Sequence, residues 1–217
     1  MSATEGMDLD GRLAVVLAVT AVGSFLLGSV NPALIVARLL GRDLRGSGSG
    51  NPGATNAGRV LGVRWGVLVG ALDVAKGVLP AYLAMLVPPQ QRWQGYLAGV
   101  AAVLGHAYSP FLRGRGGKAV ATALGAVLAV HPWWAVLLVG VFAVVVVVTR
   151  WVALGSVAAG VVMVGAGVGA GLGWWSGDWW TCAWAAALGA MVVWRHRRNL
   201  RAWRTRPGRG SAASTPG

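Results

Sequence analysis

The 217-residue sequence contains few charged residues and almost no cysteine. Only 12% of its residues are charged, about half of what a soluble domain usually carries, whereas 56% are hydrophobic and the mean hydropathy is +0.62. The composition therefore predicts a membrane protein. Because Cys182 is the only cysteine, an intrachain disulfide is excluded. The acidic start MSATEGMDLDGR lacks the basic region of a cleavable signal peptide, so we expect the first apolar run to remain as a helix.

Carboxylates are scarce, at six against 19 lysine and arginine residues, and the net charge is +13. This scarcity argues against metal clusters and against catalysis by paired carboxylates, and no Gly-x-Ser-x-Gly element with triad partners is evident. A strong positive charge can indicate nucleic-acid binding. Here the cations lie between apolar runs, so we expect no nucleic acid and favour the positive-inside bias of membrane proteins.

Seven apolar segments predict an all-α polytopic membrane protein with about seven transmembrane helices, some of them short or re-entrant. The segment at 120–130 is too short to span a bilayer alone, so we expect a half-helix or a re-entrant piece packed inside the protein. Five to seven crossings are compatible with the pattern. The segments are Leu13–Leu40, Gly66–Val87, Gly95–Phe111, Val120–Val130, Trp133–Thr149, Val152–Leu172 and Trp180–Trp194.

Loop charge predicts the orientation. With seven crossings, one side receives every loop cation except Arg12 and Arg92, so that side should face the cytoplasm. This places the C-terminus inside and the N-terminus outside. We therefore divide the chain into an extracytoplasmic segment at 1–12, a transmembrane domain at 13–201 and a basic, partly disordered cytoplasmic tail at 202–217. Tryptophans cluster at the opposite side, as in an aromatic belt: Trp133, Trp134, Trp174, Trp175, Trp179 and Trp180.

A glycine-rich stretch on the basic side is the first candidate for an anion site. It runs from Arg45 to Asn56 and is followed by Arg59. Glycines let backbone N–H groups converge on an anion, and arginine adds charge-assisted hydrogen bonds that suit phosphate. The stretch is not a P-loop, because no Gly-Lys-Ser/Thr follows; a flexible polar loop is the alternative. Its neutral hydrogen-bonding residues are Ser47, Ser49, Asn51, Thr55 and Asn56.

A second stretch, at 113–122, separates Arg113, Arg115 and Lys118 by glycines. A helix beginning near Lys118 would favour an anion at its N-terminus; a basic loop that only sets topology is the alternative. Two further basic stretches lie at 149–156 and 194–201. Taken alone, each is best interpreted as a plain cytoplasmic connection. In the second of them, His196 and Asn199 are three residues apart and would share a helical face.

Four remaining polar residues favour structural roles. Asp73 and Lys76 are three apart in an apolar segment and are costly in lipid, so we expect them to pair with each other or with the basic side. His106 is expected to be a packed histidine, and His131, on the opposite side, a loop residue.

In order along the chain, these stretches resemble the conserved blocks of the bacterial PlsY family, membrane acyltransferases that use acyl phosphate to acylate glycerol 3-phosphate. The run from Gly28-Ser29-Val30 to Gly48-Ser49-Gly50-Asn51-Pro52-Gly53-Ala54-Thr55-Asn56 resembles the first signature. The next blocks match at 72–77, at 105–118 and at 121–125, and the third signature at 196–199. The resemblance covers about residues 24–201. Departures are Arg115 for a lysine, Ala119 for a glycine, and Ala202 and Gly208 in the third signature.

The resemblance implies a seven-helix enzyme of the bacterial inner (plasma) membrane with a cytosol-facing site, no cofactor and no metal. It implies that glycerol 3-phosphate is converted to 1-acylglycerol 3-phosphate (lysophosphatidic acid), with acyl phosphate and membrane lipid as the other partners. Arg59 and Lys118 would hold phosphate. Ser49, Lys118 and His196 form the candidate catalytic set. The candidate substrate-binding residues are Arg45, Asn51, Thr55, Asn56, Arg59, Gly116, Gly117, Ser156 and Asn199.

Two other functions remain open from the residues alone. A transporter for a small anion would also place basic, glycine-rich elements at helix ends, although no paired internal halves are evident. A membrane scaffold could recruit acidic lipid through its basic tail, but this hypothesis leaves the loop at 45–59 unexplained.

Overall fold

The computed structural model describes the backbone of residues 3–204 and the side chains of residues 11–201. All regular elements in this part of the chain are helical, which confirms the all-α prediction. The predicted tail at 202–217 lies almost entirely outside the described residues, so its character stays a prediction. The helices are α1 (Ala3–Ser29), α2 (Pro32–Leu39), α3 (Ala54–Leu61), α4 (Val63–Leu86), α5 (Arg92–Ala107), α6 (Val120–Val130), α7 (Pro132–Thr149), α8 (Val152–Gly171), α9 (Trp179–Arg195) and α10 (Arg197–Arg204), with a 3-10 turn at Pro110–Leu112.

Four apolar stretches of the described chain are long enough to cross a membrane: Gly11–Leu39, Val63–Leu86, Pro132–Thr149 and Val152–Gly171. Their outward faces carry large hydrophobic side chains; Val147 and Val148 of α7, for example, are 69% and 76% exposed. Such surfaces suit lipid and not water. The chain is therefore a multi-pass membrane protein, and the shorter helices α5, α6 and α9 account for the remaining predicted segments.

The first apolar segment is interrupted, contrary to the single run predicted at Leu13–Leu40. Helix α1 ends at Ser29, and α2 begins at Pro32. Proline has no backbone N–H with which to continue the helical hydrogen bonds, and Asn31 caps the new helix by accepting a 2.9 Å hydrogen bond from the Leu34 backbone N–H. The break lies at the basic end of the molecule, next to the candidate loop.

Helix α6 coincides with the short segment predicted at Val120–Val130, and most of its residues pack inside the protein, as expected. Close packing against α4 depends on two glycines. A Cβ on Gly77 would collide with the Thr122 backbone carbonyl, and one on Gly125 would collide with the Val74 carbonyl. Small residues of this kind let membrane helices approach closely. Glycines at Gly28 and Gly105 serve the contact between α1 and α5 in the same way.

The end opposite the basic loops is closed by a buried aromatic and polar cluster. The Tyr96 hydroxyl lies 2.9 Å from His131 Nε2 and 2.8 Å from Thr181 Oγ1. The imidazole of His131 stacks on Trp134, with ring centroids 4.6 Å apart. His131 is thus not the simple loop residue predicted from the sequence. It joins α6 to α7 and is only 9% exposed, because the rings of the neighbouring helices cover it.

A second buried polar cluster lies near the basic end. Lys76 Nζ is 2.9 Å from Asp73 Oδ1, which confirms the predicted pairing within α4. His106 is 3% exposed, as expected of a packed histidine. Its Nδ1 lies 3.4 Å from Asp73 Oδ1 and 3.2 Å from Thr122 Oγ1. These contacts tie α4, α5 and α6 together beneath the basic loops.

Candidate active site

A cavity of about 430 Å³ opens at the basic end, between the first glycine-rich loop and helices α6 to α10. It brings together residues that are up to 150 positions apart in the sequence. All of the predicted site residues line it except Arg45, Gly116 and Gly117. The predicted residues on its wall are Ser49, Asn51, Thr55, Asn56, Arg59, Lys118, Ser156, His196 and Asn199.

Asn56 holds the first loop in shape. Its Nδ2 donates hydrogen bonds to the backbone carbonyls of Leu44 and Ser47, both at 3.1 Å. Its Oδ1 accepts a 2.8 Å hydrogen bond from the Ser49 backbone N–H. The side chain is 1% exposed and both ends of its amide are engaged within the loop. The structure therefore shows that Asn56 holds the first loop in shape from the cavity wall, and its contact with substrate stays a prediction.

Gly116 and Gly117 shape the second loop from outside the cavity. Their N–H groups donate to the carbonyls of Ala107 and His106, both at 3.1 Å. A Cβ on Gly116 would collide with the His106 carbonyl, and one on Gly117 with the His106 ring. Only glycine fits at this distance, and the resulting turn carries Lys118 to the cavity wall.

Two arginines fasten the loops to each other and to the end of α9. Arg45 Nη2 donates to the Arg115 carbonyl at 2.9 Å, linking the first loop to the second. Arg195 Nη2 donates to the carbonyls of Gly116 and Gly117, at 3.0 and 2.8 Å. The sequence analysis missed Arg195, because it resembles any other cation of the basic stretch that ends α9. Arg150, which lies on the cavity wall between α7 and α8, was also missed, because it resembles any other cation of a basic loop.

Three helices begin at the cavity: α3, α6 and α8. Their N-cap positions are Gly53, Ala119 and Trp151, and none of these provides a side-chain hydrogen bond to the first turn. The first residues of all three helices line the cavity. Helix N-termini carry partial positive charge and N–H groups that suit an anion. The helix predicted to begin near Lys118 is confirmed, since α6 starts at Val120.

The cations on the wall exceed the carboxylates. Arg59, Lys118 and Arg150 line the cavity, whereas Asp73 is the one carboxylate among its lining residues and is paired with Lys76. Burial and the nearby charge of Arg195 lower the pKa of the Lys118 ammonium. A bound anion would relieve both effects, because it offers Lys118 an opposite charge. The electrostatics thus favour one or more phosphate groups.

His196, Ser156 and Asn199 bring neutral polar groups to the same cavity. His196 Nδ1 lies 2.8 Å from the Val192 carbonyl; a carbonyl only accepts, so Nδ1 carries the proton and Nε2 is left as an acceptor. Burial, together with the charges of Lys118 and Arg195, lowers the pKa of His196 to about 4. Ser156 Oγ donates to the Val152 carbonyl at 3.0 Å, which leaves its lone pairs available. Such acceptors suit the hydroxyl groups of a polyol.

The deeper part of the cavity is apolar. Its walls come from α6, α7, α8 and α9, including Leu124, Val127, Leu138, Phe142 and Met163. A pocket with a cationic mouth and an apolar interior fits an amphiphile whose charged head and hydrocarbon chain separate at the level of Lys118. Among the described residues, no group of three or more metal-ligating side chains is present.

Comparison with known proteins is consistent across sequence and structure. The sequence profile of the glycerol-3-phosphate acyltransferase family matches residues 18–206. The Aquifex aeolicus protein of that name is 39% identical over 178 residues, which is 82% of this chain and 90% of the relative. Glycerol-3-phosphate acyltransferase 1 of Deinococcus radiodurans is 39% identical over 198 residues, or 90% and 92% of the two chains.

The fold matches solved structures as well. A crystal structure of PlsY, an integral membrane glycerol 3-phosphate acyltransferase in its glycerol 3-phosphate form, aligns with a TM-score of 0.79 and 37% identity. It covers 87% of this chain and 92% of PlsY. The lysophosphatidic acid form of PlsY aligns with a TM-score of 0.78 and 36% identity. With its sequence and fold matched over nearly their whole length, the chain belongs to the glycerol-3-phosphate acyltransferase family.

Proposed function

We propose that this protein transfers a fatty acyl group from acyl phosphate to glycerol 3-phosphate, giving 1-acylglycerol 3-phosphate and inorganic phosphate. The observation that carries the proposal is the cavity, which joins a cationic mouth at Arg59 and Lys118 to an apolar interior. Both substrates are anionic, and one of them carries a hydrocarbon chain. Membership of the family supports the acceptor.

The polar residues divide between the two substrates by charge. Lys118, Arg59 and the three helix N-termini hold the phosphate groups. Ser49, Ser156 and Asn199 hold the glycerol hydroxyls, and the acyl chain lies against the apolar residues of α6, α7 and α8. Holding the two reactants in contact supplies much of the acceleration, since well-oriented intramolecular reactions reach effective molarities on the order of 10⁵ M or higher.

The reaction needs no serine nucleophile, because acyl phosphate is already activated. The C1 hydroxyl oxygen of glycerol 3-phosphate attacks the acyl carbonyl carbon, a C–O ester bond forms, and the bond from that carbon to the phosphate oxygen breaks. Lys118 and the N-terminus of α6 stabilise the negative charge that develops on the carbonyl oxygen and on the departing phosphate.

The hydroxyl proton passes to the phosphate of glycerol 3-phosphate. His196, with a pKa lowered to about 4, is a weak base compared with a phosphate monoester dianion, whose conjugate acid has a pKa of about 6. His196 therefore orients the hydroxyl by accepting its hydrogen bond, and it stays neutral during turnover.

We place the site on the cytoplasmic face of a bacterial inner (plasma) membrane. The support is the charge distribution: the loops that surround the cavity carry Arg45, Arg115, Lys118 and Arg150, whereas the loops at the Tyr96 end carry few cations. Positive loops stay in the cytoplasm, where glycerol 3-phosphate is available.

An acyl-transfer assay on the purified protein in detergent tests the function. We expect lysophosphatidic acid to form from glycerol 3-phosphate and palmitoyl phosphate, with equal rates in the presence of a chelator. Palmitoyl-CoA serves as the matched donor without an acyl phosphate bond. Product formation with palmitoyl-CoA but not with palmitoyl phosphate would reject the donor assignment. Loss of activity on chelation would reject metal-free catalysis.

A further inference from the structure

The break between α1 and α2 leaves backbone carbonyls without helical partners. In a continuous helix the Ser29 carbonyl would accept from the N–H of residue 33, and the Val30 carbonyl from that of Leu34. Leu34 N–H is instead taken by the Asn31 side chain at 2.9 Å. Carbonyls of this kind need other donors, because an unmet backbone hydrogen bond in a membrane protein is costly.

Side chains from two other segments supply those donors. Lys76 Nζ, which also pairs with Asp73, donates to the Val30 carbonyl at 2.7 Å. Ser109 Oγ donates to the Ser29 carbonyl at 2.8 Å. The break is therefore fixed to α4 on one side and to the segment following α5 on the other. Ser29, Asn31 and Lys76 are all at least nine-tenths buried.

Asn31 transmits this fixed position to the candidate site. Its Nδ2 donates to the Pro52 carbonyl across 21 residues, at 3.0 Å in a buried setting. Pro52 lies between Asn51, on the cavity wall, and Gly53, the N-cap of α3. Asn56 holds the other side of the same loop through the Leu44 and Ser47 carbonyls. The loop thus has two anchors: Asn56, which follows it in the chain, and Asn31, at the break between α1 and α2.

We propose that Asn31 and Lys76 are positioning residues, which place the loop at 46–53 and the N-terminus of α3 against the cavity. Neither residue is among the proposed substrate contacts. The inference rests on the proposed function only for the expected change in kcat/KM. The role differs from general stabilisation, because the hydrogen bond from Asn31 ends on the loop itself.

Asn31→Ser is the sharpest variant, since serine still caps α2 but cannot reach the Pro52 carbonyl. The control is Tyr96→Phe, which removes two buried hydrogen bonds in the cluster at the opposite end. We would measure thermal unfolding, hydrogen–deuterium exchange of residues 45–59, and kcat and KM for glycerol 3-phosphate, all on the full chain in detergent.

We expect Asn31→Ser to speed exchange in residues 45–59 and to lower kcat/KM roughly three- to tenfold, the effect of one lost buried hydrogen bond. Tyr96→Phe should lower the unfolding temperature but leave both the exchange at residues 45–59 and kcat/KM unchanged. Lys76→Met should act in the same direction, and its combination with Asn31→Ser should cost less than the product of the two losses, since both act on one loop. Lys76→Arg, which keeps a donor, should restore part of the activity.

Unchanged exchange at 45–59 in Asn31→Ser would overturn the proposal, as would equal kinetic losses in Asn31→Ser and Tyr96→Phe. The exchange measurement does not depend on catalysis. A wild-type protein inactive with acyl phosphate would therefore reject the proposed function, while the exchange data would still decide whether Asn31 positions the loop.

Discussion

At the scale of single residues, Lys118 and Arg59 are the cations from which the most is expected. Lys118 is half-buried and its pKa is lowered. It lies beside the first turn of α6, which receives no hydrogen bond from an N-cap side chain. Losing a charge-assisted hydrogen bond to phosphate costs about 1.5–3 kcal/mol, so we predict that Lys118→Ala and Arg59→Ala each lower kcat/KM roughly ten- to hundredfold. Steady-state kinetics on purified variants measure this loss.

Arg201 provides the control for that prediction. It is an exposed arginine of α10, two residues beyond Asn199, and does not line the cavity. Arg201→Ala should change kcat/KM far less than either site variant. If all three variants kept wild-type kinetics at normal membrane levels, the cations would serve only topology, and the anion site would be rejected.

The neutral state of His196 has a consequence for acid stability. Its pKa is about 4 in the folded protein and about 6.5 when unfolded, so the unfolded state binds more protons between these values. The contribution to stability is complete above pH 6.5 and is lost as the pH falls through 4, with a size of up to about 3 kcal/mol. We predict that acidification from pH 7 to 4.5 lowers the unfolding temperature more in the wild type than in His196→Asn. Equal decreases in the two proteins would contradict the assigned state.

The family resemblance, more than the residue types, supplied most of the residues that line the candidate cavity, but it did not show how they divide their work. Asn56 and Ser49 belong to the same motif, yet Asn56 is buried and committed to the loop, whereas Ser49 is exposed on the cavity wall. Arg195 and Arg197 are neighbouring cations in sequence; only the fold directs Arg195 to the carbonyls of Gly116 and Gly117. Such assignments depend on contacts between segments about 80 residues apart.

At the scale of helices, the α4–α6 contact depends on glycine. We predict that Gly77→Ala lowers the free energy of unfolding by about 1–3 kcal/mol, because the added methyl group meets the Thr122 carbonyl and the helices must separate. Gly140→Ala in α7 is the matched control, since a Cβ there meets nothing within 4 Å. Thermal unfolding in detergent should show a loss for Gly77→Ala and no loss for Gly140→Ala. Equal behaviour of the two variants would contradict the close contact.

Hydrophobicity located the long helices well because lipid requires continuous apolar runs. It could not reveal α3, whose eight residues Ala54–Leu61 include Thr55, Asn56 and Arg59 and therefore resemble a loop. The interruption after Ser29 was also missed, although Asn31 and Pro32 are together a capping signal. The chain is apolar on both sides of this signal. The prediction therefore followed the length of the apolar run and treated it as one helix.

At the scale of the whole molecule, the orientation in the membrane is the main testable property. Reporter fusions at the C-terminus and after Val87 should report opposite sides, with the C-terminus in the cytoplasm, because the positive loops and the end of α9 share one face. The N-terminus is expected outside. Both reporters on one side would reject seven crossings.

The length of α6 has a consequence for a substrate that carries a fatty chain. Helix α6 has 11 residues and α7 has 18, and the two are joined directly at His131. At about 1.5 Å per residue, α6 stops about 10 Å short of the level at which α7 ends. We therefore expect Lys118, next to the start of α6, to lie deeper in the membrane than the end of α7. Each methylene group that stays in hydrocarbon avoids a transfer cost of about 0.8 kcal/mol, so a lipid can reach this cation by moving sideways within its leaflet, without being extracted into water.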